Sequence, residues 1–158
     1  MSEIASSSSK AIENFENTLY TFNTDALQTA KDARRIENST YTTLAKMDHI
    51  IFKANAYSAI FHGKTSHVFG DHHNCRLGLW YEMGLGKERF SHLPSYPKIL
   101  EPHKIIHENV IENIKFIEDG DHIIENKDKL IANFKEMEVA SDILFQTIDT
   151  LLSESGEV

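Results

Sequence analysis

The fold class is decided by residues 12–57, IENFENTLYTFNTDALQTAKDARRIENSTYTTLAKMDHIIFKANAY. Positions that alternate in steps of three and four along this stretch form an unbroken heptad register, strongly apolar at both ends and mostly small or polar between. No glycine or proline interrupts the stretch before Gly63, so we predict one continuous helix. The register runs through Ile12, Phe15, Leu19, Phe22, Ala26, Thr29, Ala33, Ile36, Thr40, Thr43, Met47, Ile50, Ala54 and Tyr57.

Such a helix would extend about 75 Å at its normal rise per residue. This is too long for a compact monomer of 158 residues, so part of the helix should project or contact a second chain. Its C-terminal half also carries two apolar rows, one with Ala45, His49 and Phe52 and the other with Met47 and Ile50. We therefore expect one row to face the core and the other to face the partner in a homodimer.

The remainder of the chain alternates irregular segments with helices. Residues 63–74 have two glycines and no sustained period, and residues 75–82 then offer a short helix with Asn74 as a plausible cap. The glycines and prolines of residues 84–97 predict a second irregular connection. Pro102 suits the first turn of a helix that Gly120 ends, and a last helix should run from about Asp121 to Ser153. The apolar positions of this last helix at three-four spacing are Leu130, Phe134, Met137, Leu144, Ile148 and Leu151. The pattern predicts an all-α antiparallel bundle.

Composition excludes several classes of protein. There are 24 acidic residues against 16 basic ones, which argues against a surface for nucleic acid or for anionic lipid. Apolar stretches are short and residues 1–10 are serine-rich, so neither a membrane-spanning helix nor a signal peptide is expected. One cysteine forbids an intramolecular disulfide. We expect a cytoplasmic protein.

Nine histidines and one cysteine suggest a metal site. His103 and His107 lie four residues apart on a predicted helix, which places both imidazoles on one face. His49 lies on the apolar row of the first helix, where burial requires partners for both ring nitrogens. Cys75 lies at the start of a short helix and beside Arg76, two features that lower the pKa of a thiol. One thiolate and three imidazoles would suit tetrahedral zinc with a closed coordination shell.

Other interpretations remain open at this stage. The histidines could be satisfied core residues in a purely structural dimerisation bundle without metal. His72 and His73 are rival ligands, although adjacent side chains on a loop should not both face one ion, so we expect solvent exposure. Lys104 stands where zinc proteases have a glutamate after the first histidine, and Glu108 and Glu112 lie on the polar face of the helix, which disfavours a di-iron bundle. We therefore predict no enzyme activity.

Three runs of sequence go further than spacing alone. Residues 46–53 (KMDHIIFK), 74–81 (NCRLGLWY) and 102–107 (PHKIIH) together resemble the chemoreceptor zinc-binding domain, a bacterial sensory module. Such modules lie at the C-terminal end of soluble methyl-accepting chemotaxis proteins and on some diguanylate cyclases. The resemblance covers about residues 43–117.

The resemblance implies a fold, a cofactor and a function. The fold is an antiparallel four-helix bundle with a short extra helix, usually dimeric, and Zn2+ is held by residues that correspond to His49, Cys75, His103 and His107. Residues 1–40 look like the last part of a chemoreceptor signalling coiled coil, and residues 41–158 like the zinc-binding bundle. Zinc occupancy, or oxidation of the zinc-bound thiolate by species such as hypochlorous acid, would alter the output of an attached signalling domain. The corresponding alternative is a regulatory domain of a diguanylate cyclase.

Overall fold

The computed structural model describes residues 2–118 and 122–156. These residues form α-helices and one 3-10 helix, with no β-strand among them. The elements are α1 (Ser2–His62), α2 (Arg76–Glu82), α3 (Leu85–Phe90), a 3-10 helix (Tyr96–Ile99), α4 (Leu100–Glu118) and α5 (Lys127–Glu154). The prediction of an all-α bundle with a long N-terminal helix is confirmed.

The chain divides into two compact units within α1: the first ends at Asn38 and the second begins at Ser39. In the first unit the large apolar side chains of the heptad register are exposed, including those of Phe15 and Phe22. In the second unit Met47 and Ile50 of the register are exposed as well, and the other row of α1 is buried at Ala45 and His49 and, further along, at Ala56 and Ala59. Helix α1 ends at Gly63, whose positive φ of 62° lets the chain turn after the last helical residue.

The core of the second unit lies where α1, α4 and α5 meet. The predicted apolar positions of α5 are buried, and Met137, Leu144 and Ile148 have no exposed surface. Helices α4 and α5 run antiparallel, since the Asn109 amide donates to Glu136 and the amide of Asn133 donates to Asn113.

Polar and aromatic contacts hold α1 against α5. The Lys53 ammonium lies 2.6 Å from a Glu138 carboxylate oxygen, and the rings of Tyr57 and Phe134 are 4.3 Å apart between centroids. Residue numbers rise along α1 as they fall along α5, so these helices are antiparallel as well. The bundle therefore brings one face of α1 and one face of α4 together.

Several boundaries differ from the predictions. The cap of α2 is Cys75, whose sulfur accepts the Gly78 N–H, rather than Asn74. The segment predicted as irregular contains α3 and the 3-10 helix. Helix α5 begins at Lys127 and is preceded by turns at residues 123–126, while Gly120 and Asp121 lie outside the described residues. Among the described residues, no helix is both long and apolar enough to cross a membrane.

Candidate metal centre

Four side chains from three segments of the chain converge in the second unit. His49 comes from α1, Cys75 from the residue that caps α2, and His103 and His107 from successive turns of α4. One ligand atom from each lies within 4.8 Å of the others. We call these four residues the His–Cys cluster. The structure thus brings together every residue that the sequence analysis proposed for the metal site.

The distances within the His–Cys cluster are short. The Cys75 sulfur lies 3.1 Å from Nε2 of His103, and the His49 ring centroid lies 4.9 Å from that of His103 and 5.4 Å from that of His107. Tetrahedral coordination at normal zinc bond lengths separates neighbouring donor atoms by about 3.3 to 3.6 Å. Small side-chain rotations would therefore bring all four donors onto one ion.

Two imidazoles are fixed from behind by backbone carbonyls. Nδ1 of His49 contacts the Ala45 carbonyl oxygen at 2.7 Å, and Nδ1 of His107 contacts that of Gly70 at 2.8 Å. A carbonyl can only accept, so in each ring Nδ1 carries the hydrogen and Nε2 presents a lone pair. Both Nε2 atoms are buried and have no hydrogen-bond partner among the described residues. Such orphaned acceptors are costly, and a metal ion would satisfy both.

The acidic residues near the cluster in sequence do not supply this support. Asp48 pairs with Arg76 at 2.7 Å, and Asp71 accepts from the backbone and side chain of Asn74. Glu108 pairs with Lys104 on the surface of α4. The supporting groups are instead carbonyls, one of them contributed by a loop residue far away in sequence.

Burial determines the protonation of the three histidines. It lowers the pKa of His49, that of His107 to about 4, and, together with the neighbouring imidazoles, that of His103 to about 2. These rings are neutral at physiological pH, which is the form that binds metal. The Phe52 ring, 4.5 Å from the His107 ring between centroids, covers one side of the cluster.

The expectation for the Cys75 thiol was wrong. Burial raises its pKa, and the backbone N–H groups of Gly78 and Leu77 oppose this only in part. The carboxylates of Asp48 and Asp71 raise it further, and the Arg76 guanidinium is engaged by Asp48. The metal-free protein therefore holds a protonated thiol, which must lose its proton to become a metal ligand.

One further expectation needs correction. His73 is exposed, as predicted, but His72 is half-buried and its ring centroid lies 5.7 Å from that of His103. The two adjacent rings also lie on one side of the loop, 3.9 Å apart between centroids, contrary to the expectation that they would not face a common point. The sequence also did not predict the position of Phe69, which packs against Phe52 beside the His–Cys cluster. Both misses have the same cause, because the loop of residues 63–74 has no periodicity from which its path could be read.

Comparison with known protein families agrees with this geometry. Residues 49–114 match the family of the chemoreceptor zinc-binding domain, a stretch that contains all four members of the His–Cys cluster. No curated protein and no solved structure matches the chain at a significant level. The match confirms the resemblance, and together with the cluster it confirms zinc as the cofactor. The family is a regulatory, sensory one in chemotaxis signalling rather than a catalytic one. At residues 49–114 the chain is thus similar to the chemoreceptor zinc-binding domain.

Proposed function

We propose that this chain is a sensory domain of bacterial signal transduction in which His49, Cys75, His103 and His107 hold one zinc ion. The strongest support is the pair of buried, unpartnered Nε2 atoms of His49 and His107, which lie beside the contact between Cys75 and His103. Four protein donors fill the coordination shell of zinc. A closed shell suits a sensory role, since catalytic zinc keeps a position for water.

The signal in this proposal is zinc occupancy or oxidation of the zinc-bound thiolate. Hypochlorous acid would convert the Cys75 thiolate to sulfenic acid and release chloride, while the three imidazoles stay unchanged. Loss of the sulfur donor weakens zinc binding. The cluster joins α1, through His49, to α4, through His103 and His107, so release of the ion loosens this connection. Because α1 is one continuous helix from Ser2 to His62, a rotation at His49 would be carried toward its N-terminus.

The same proposal includes the surroundings of the domain. Residues 1–40 would be the final part of a chemoreceptor-like coiled coil, and residues 41–158 the zinc-binding bundle at the end of a methyl-accepting chemotaxis protein. The exposed Met47 and Ile50 on the second row of α1 support a homodimer. The protein would act in the cytoplasm on an attached or neighbouring signalling module.

Metal content tests the zinc site. Protein purified without added zinc and then dialysed should retain about one zinc per chain, and Cys75→Ser and His103→Ala should each lose it. His62→Ala is the matched control, since His62 is exposed at the end of α1 and should leave zinc content unchanged. Zinc-free wild-type protein that folds normally would instead support a purely structural dimerisation bundle.

Distance measurements test the coupling. Spin labels attached through non-canonical amino acids at the exposed positions Ser58 on α1 and Glu108 on α4 would leave Cys75 unlabelled. Hypochlorous acid should release zinc and change the distance distribution between the labels. Cys75→Ser removes the oxidisable sulfur and should show no such response. Loss of zinc with unchanged distances would refute the coupling.

A further inference from the structure

A second group of donor side chains lies beside the His–Cys cluster. His72, His73 and Glu82 each offer one ligand atom within 4.8 Å of the others, and we call them the outer cluster. Nδ1 of His73 contacts Oε1 of Glu82, and the rings of His72 and His73 are 3.9 Å apart between centroids. His73 is exposed whereas His72 and Glu82 are half-buried, so the cluster opens to solvent on one side.

The backbone holds the two histidines of the outer cluster in place. The Asp71 carboxylate accepts the N–H of His73 at 3.0 Å and that of Asn74 at 3.2 Å, which fixes the turn. The backbone of His72 and His73 also packs directly against Gly78 of α2. A Cβ atom at Gly78 would lie 2.0 Å from the carbonyl oxygen of His72 and 2.6 Å from that of His73.

The packing of this turn on Gly78 also explains why Glu82 lies close to His73. Gly78 and Glu82 are four residues apart on α2 and therefore share one face of the helix. The backbone of residues 72–73 lies over the first of these positions, and the His73 side chain reaches the second. Three donors are thus carried by a hydrogen-bonded turn and a helix rather than by unsupported surface side chains. Such support is what distinguishes a metal site from a chance meeting of polar groups.

The outer cluster differs from the His–Cys cluster in place and in chemistry. The His72 ring centroid lies 5.7 Å from that of His103 and 6.5 Å from that of His107, farther than the separations within the His–Cys cluster. The His–Cys cluster already has four donors, including sulfur. The outer cluster has two imidazoles and a carboxylate, which suit a borderline divalent ion such as zinc and leave room for water in its shell.

We propose that His72, His73 and Glu82 hold a second divalent ion of the zinc type, exposed to solvent and coordinated in part by water. With three donors and an open side, this ion is bound more weakly than the one in the His–Cys cluster and is lost on dialysis. The proposal stands on its own donors and does not require the first site to be filled.

Cobalt titration tests the outer site. A thiolate ligand gives Co2+ a strong charge-transfer absorption, so metal at Cys75 is visible and metal at the outer cluster lacks this band. We expect two equivalents of Co2+ per wild-type chain, the first with the band and the second without it. His73→Ala and Glu82→Gln should weaken the second equivalent by at least about tenfold and leave the first unchanged. His92→Ala, at an exposed histidine outside both clusters, should bind as wild type does.

The outcomes separate the two sites. Cys75→Ser should remove the charge-transfer band and keep the second equivalent of Co2+. Absence of the band in the wild-type protein would therefore contradict the His–Cys assignment without bearing on the outer cluster. Absence of a second equivalent in the wild-type protein would overturn the outer site. A second equivalent that survives unchanged in both His73→Ala and Glu82→Gln would overturn it as well, because the ion would then be bound elsewhere. Direct Zn2+ titration by calorimetry should give the same pattern.

Discussion

At the scale of single residues, the metal centre depends on how burial acts on each donor. Spacing alone predicted His103 and His107, because residues four apart on a helix must share a face. The protonation of Cys75 could not be predicted in this way, because desolvation outweighs the backbone N–H groups near the sulfur. The carbonyls of Ala45 and Gly70 that orient His49 and His107 could not be predicted either, because every residue has a backbone carbonyl and residue type does not show which one contacts a side chain.

Zinc binding should release protons from the thiol alone. Burial raises the pKa of Cys75 and lowers those of the three histidines, so at pH 7 the thiol is protonated and the imidazoles are not. We expect about one proton released per zinc bound at the His–Cys cluster and none in Cys75→Ser. Calorimetry in two buffers of different ionisation enthalpy measures this number. Zinc binding by wild-type protein without proton release would contradict the assignment of Cys75.

The metal-free protein should lose stability as the pH falls below about 6.5. Unfolded histidines titrate near this value, whereas in the folded chain the pKa of His107 is about 4 and that of His103 about 2. Between pH 6.5 and 4 the unfolded state therefore binds protons that the folded state does not bind. For each of these histidines, the free energy of unfolding should fall by up to about 1.4 kcal/mol per pH unit as the pH decreases through this window.

Urea denaturation at pH 7.5, 6 and 5 measures that loss. The matched variant His107→Gln keeps a polar side chain that does not titrate. Its free energy of unfolding should therefore fall less steeply with decreasing pH, by about the contribution of one histidine. Equal slopes for the two metal-free proteins would show that His107 is not held neutral by the fold.

At the scale of elements, periodicity predicted α4 and α5 because each buries one apolar stripe. It also predicted α1, although the heptad register of α1 is exposed in the single chain. It failed for α3, where Gly84 and Gly86 suggested an irregular segment. Gly86 is required by packing instead, because a Cβ there would lie 2.4 Å from the Trp80 ring. A glycine that admits a neighbouring ring cannot be told from a helix breaker without the fold. The start of α5 was placed too early for a related reason, since residues 123–126 carry no strong breaker and still form turns.

Gly78→Ala should disrupt the start of α2. The added Cβ would meet the carbonyl oxygens of His72 and His73 and push their turn away from the helix. Overpacking of this kind costs about 1 to 3 kcal/mol, and the displaced turn would carry Cys75 away from His103. We expect lower thermal stability and weaker zinc binding in a competition assay with a chelator.

Gly70→Ala is the matched control, because a Cβ at this position meets nothing within 4 Å and the carbonyl that His107 contacts is kept. It should bind zinc as the wild-type protein does. If Gly78→Ala also bound zinc normally, the turn would not position Cys75.

At the scale of the whole molecule, the sequence indicated a surface that one chain leaves uncovered. In the second unit, Met47 and Ile50 on α1 are 51% and 52% exposed, and Ile51 and Tyr57 are exposed beside them. Apolar side chains grouped in this way favour contact with another chain. The family match ends at residue 114, before the whole of α5, although α5 supplies a large part of the core. The sequence pattern of α5 was nevertheless sufficient to predict its buried face.

Ile50→Asp should convert the homodimer that we propose to a monomer. A charge in the centre of an apolar contact must be desolvated without a partner, which opposes association. Sedimentation equilibrium of the full chain measures the change. Val68→Asp is the control, because Val68 is 97% exposed in the loop before α2 and lies away from this row. A dimer in the Ile50→Asp protein would show that this row of α1 is not the interface.

We expect one sulfur and three nitrogens to surround a single zinc ion in the His–Cys cluster. Zinc K-edge X-ray absorption of the dialysed protein tests it most directly, because sulfur and nitrogen neighbours differ in scattering and in distance. We predict one sulfur at about 2.3 Å and three imidazole nitrogens at about 2.0 Å, with the sulfur absent from any zinc that Cys75→Ser retains. A wild-type spectrum with nitrogen and oxygen neighbours only would contradict it.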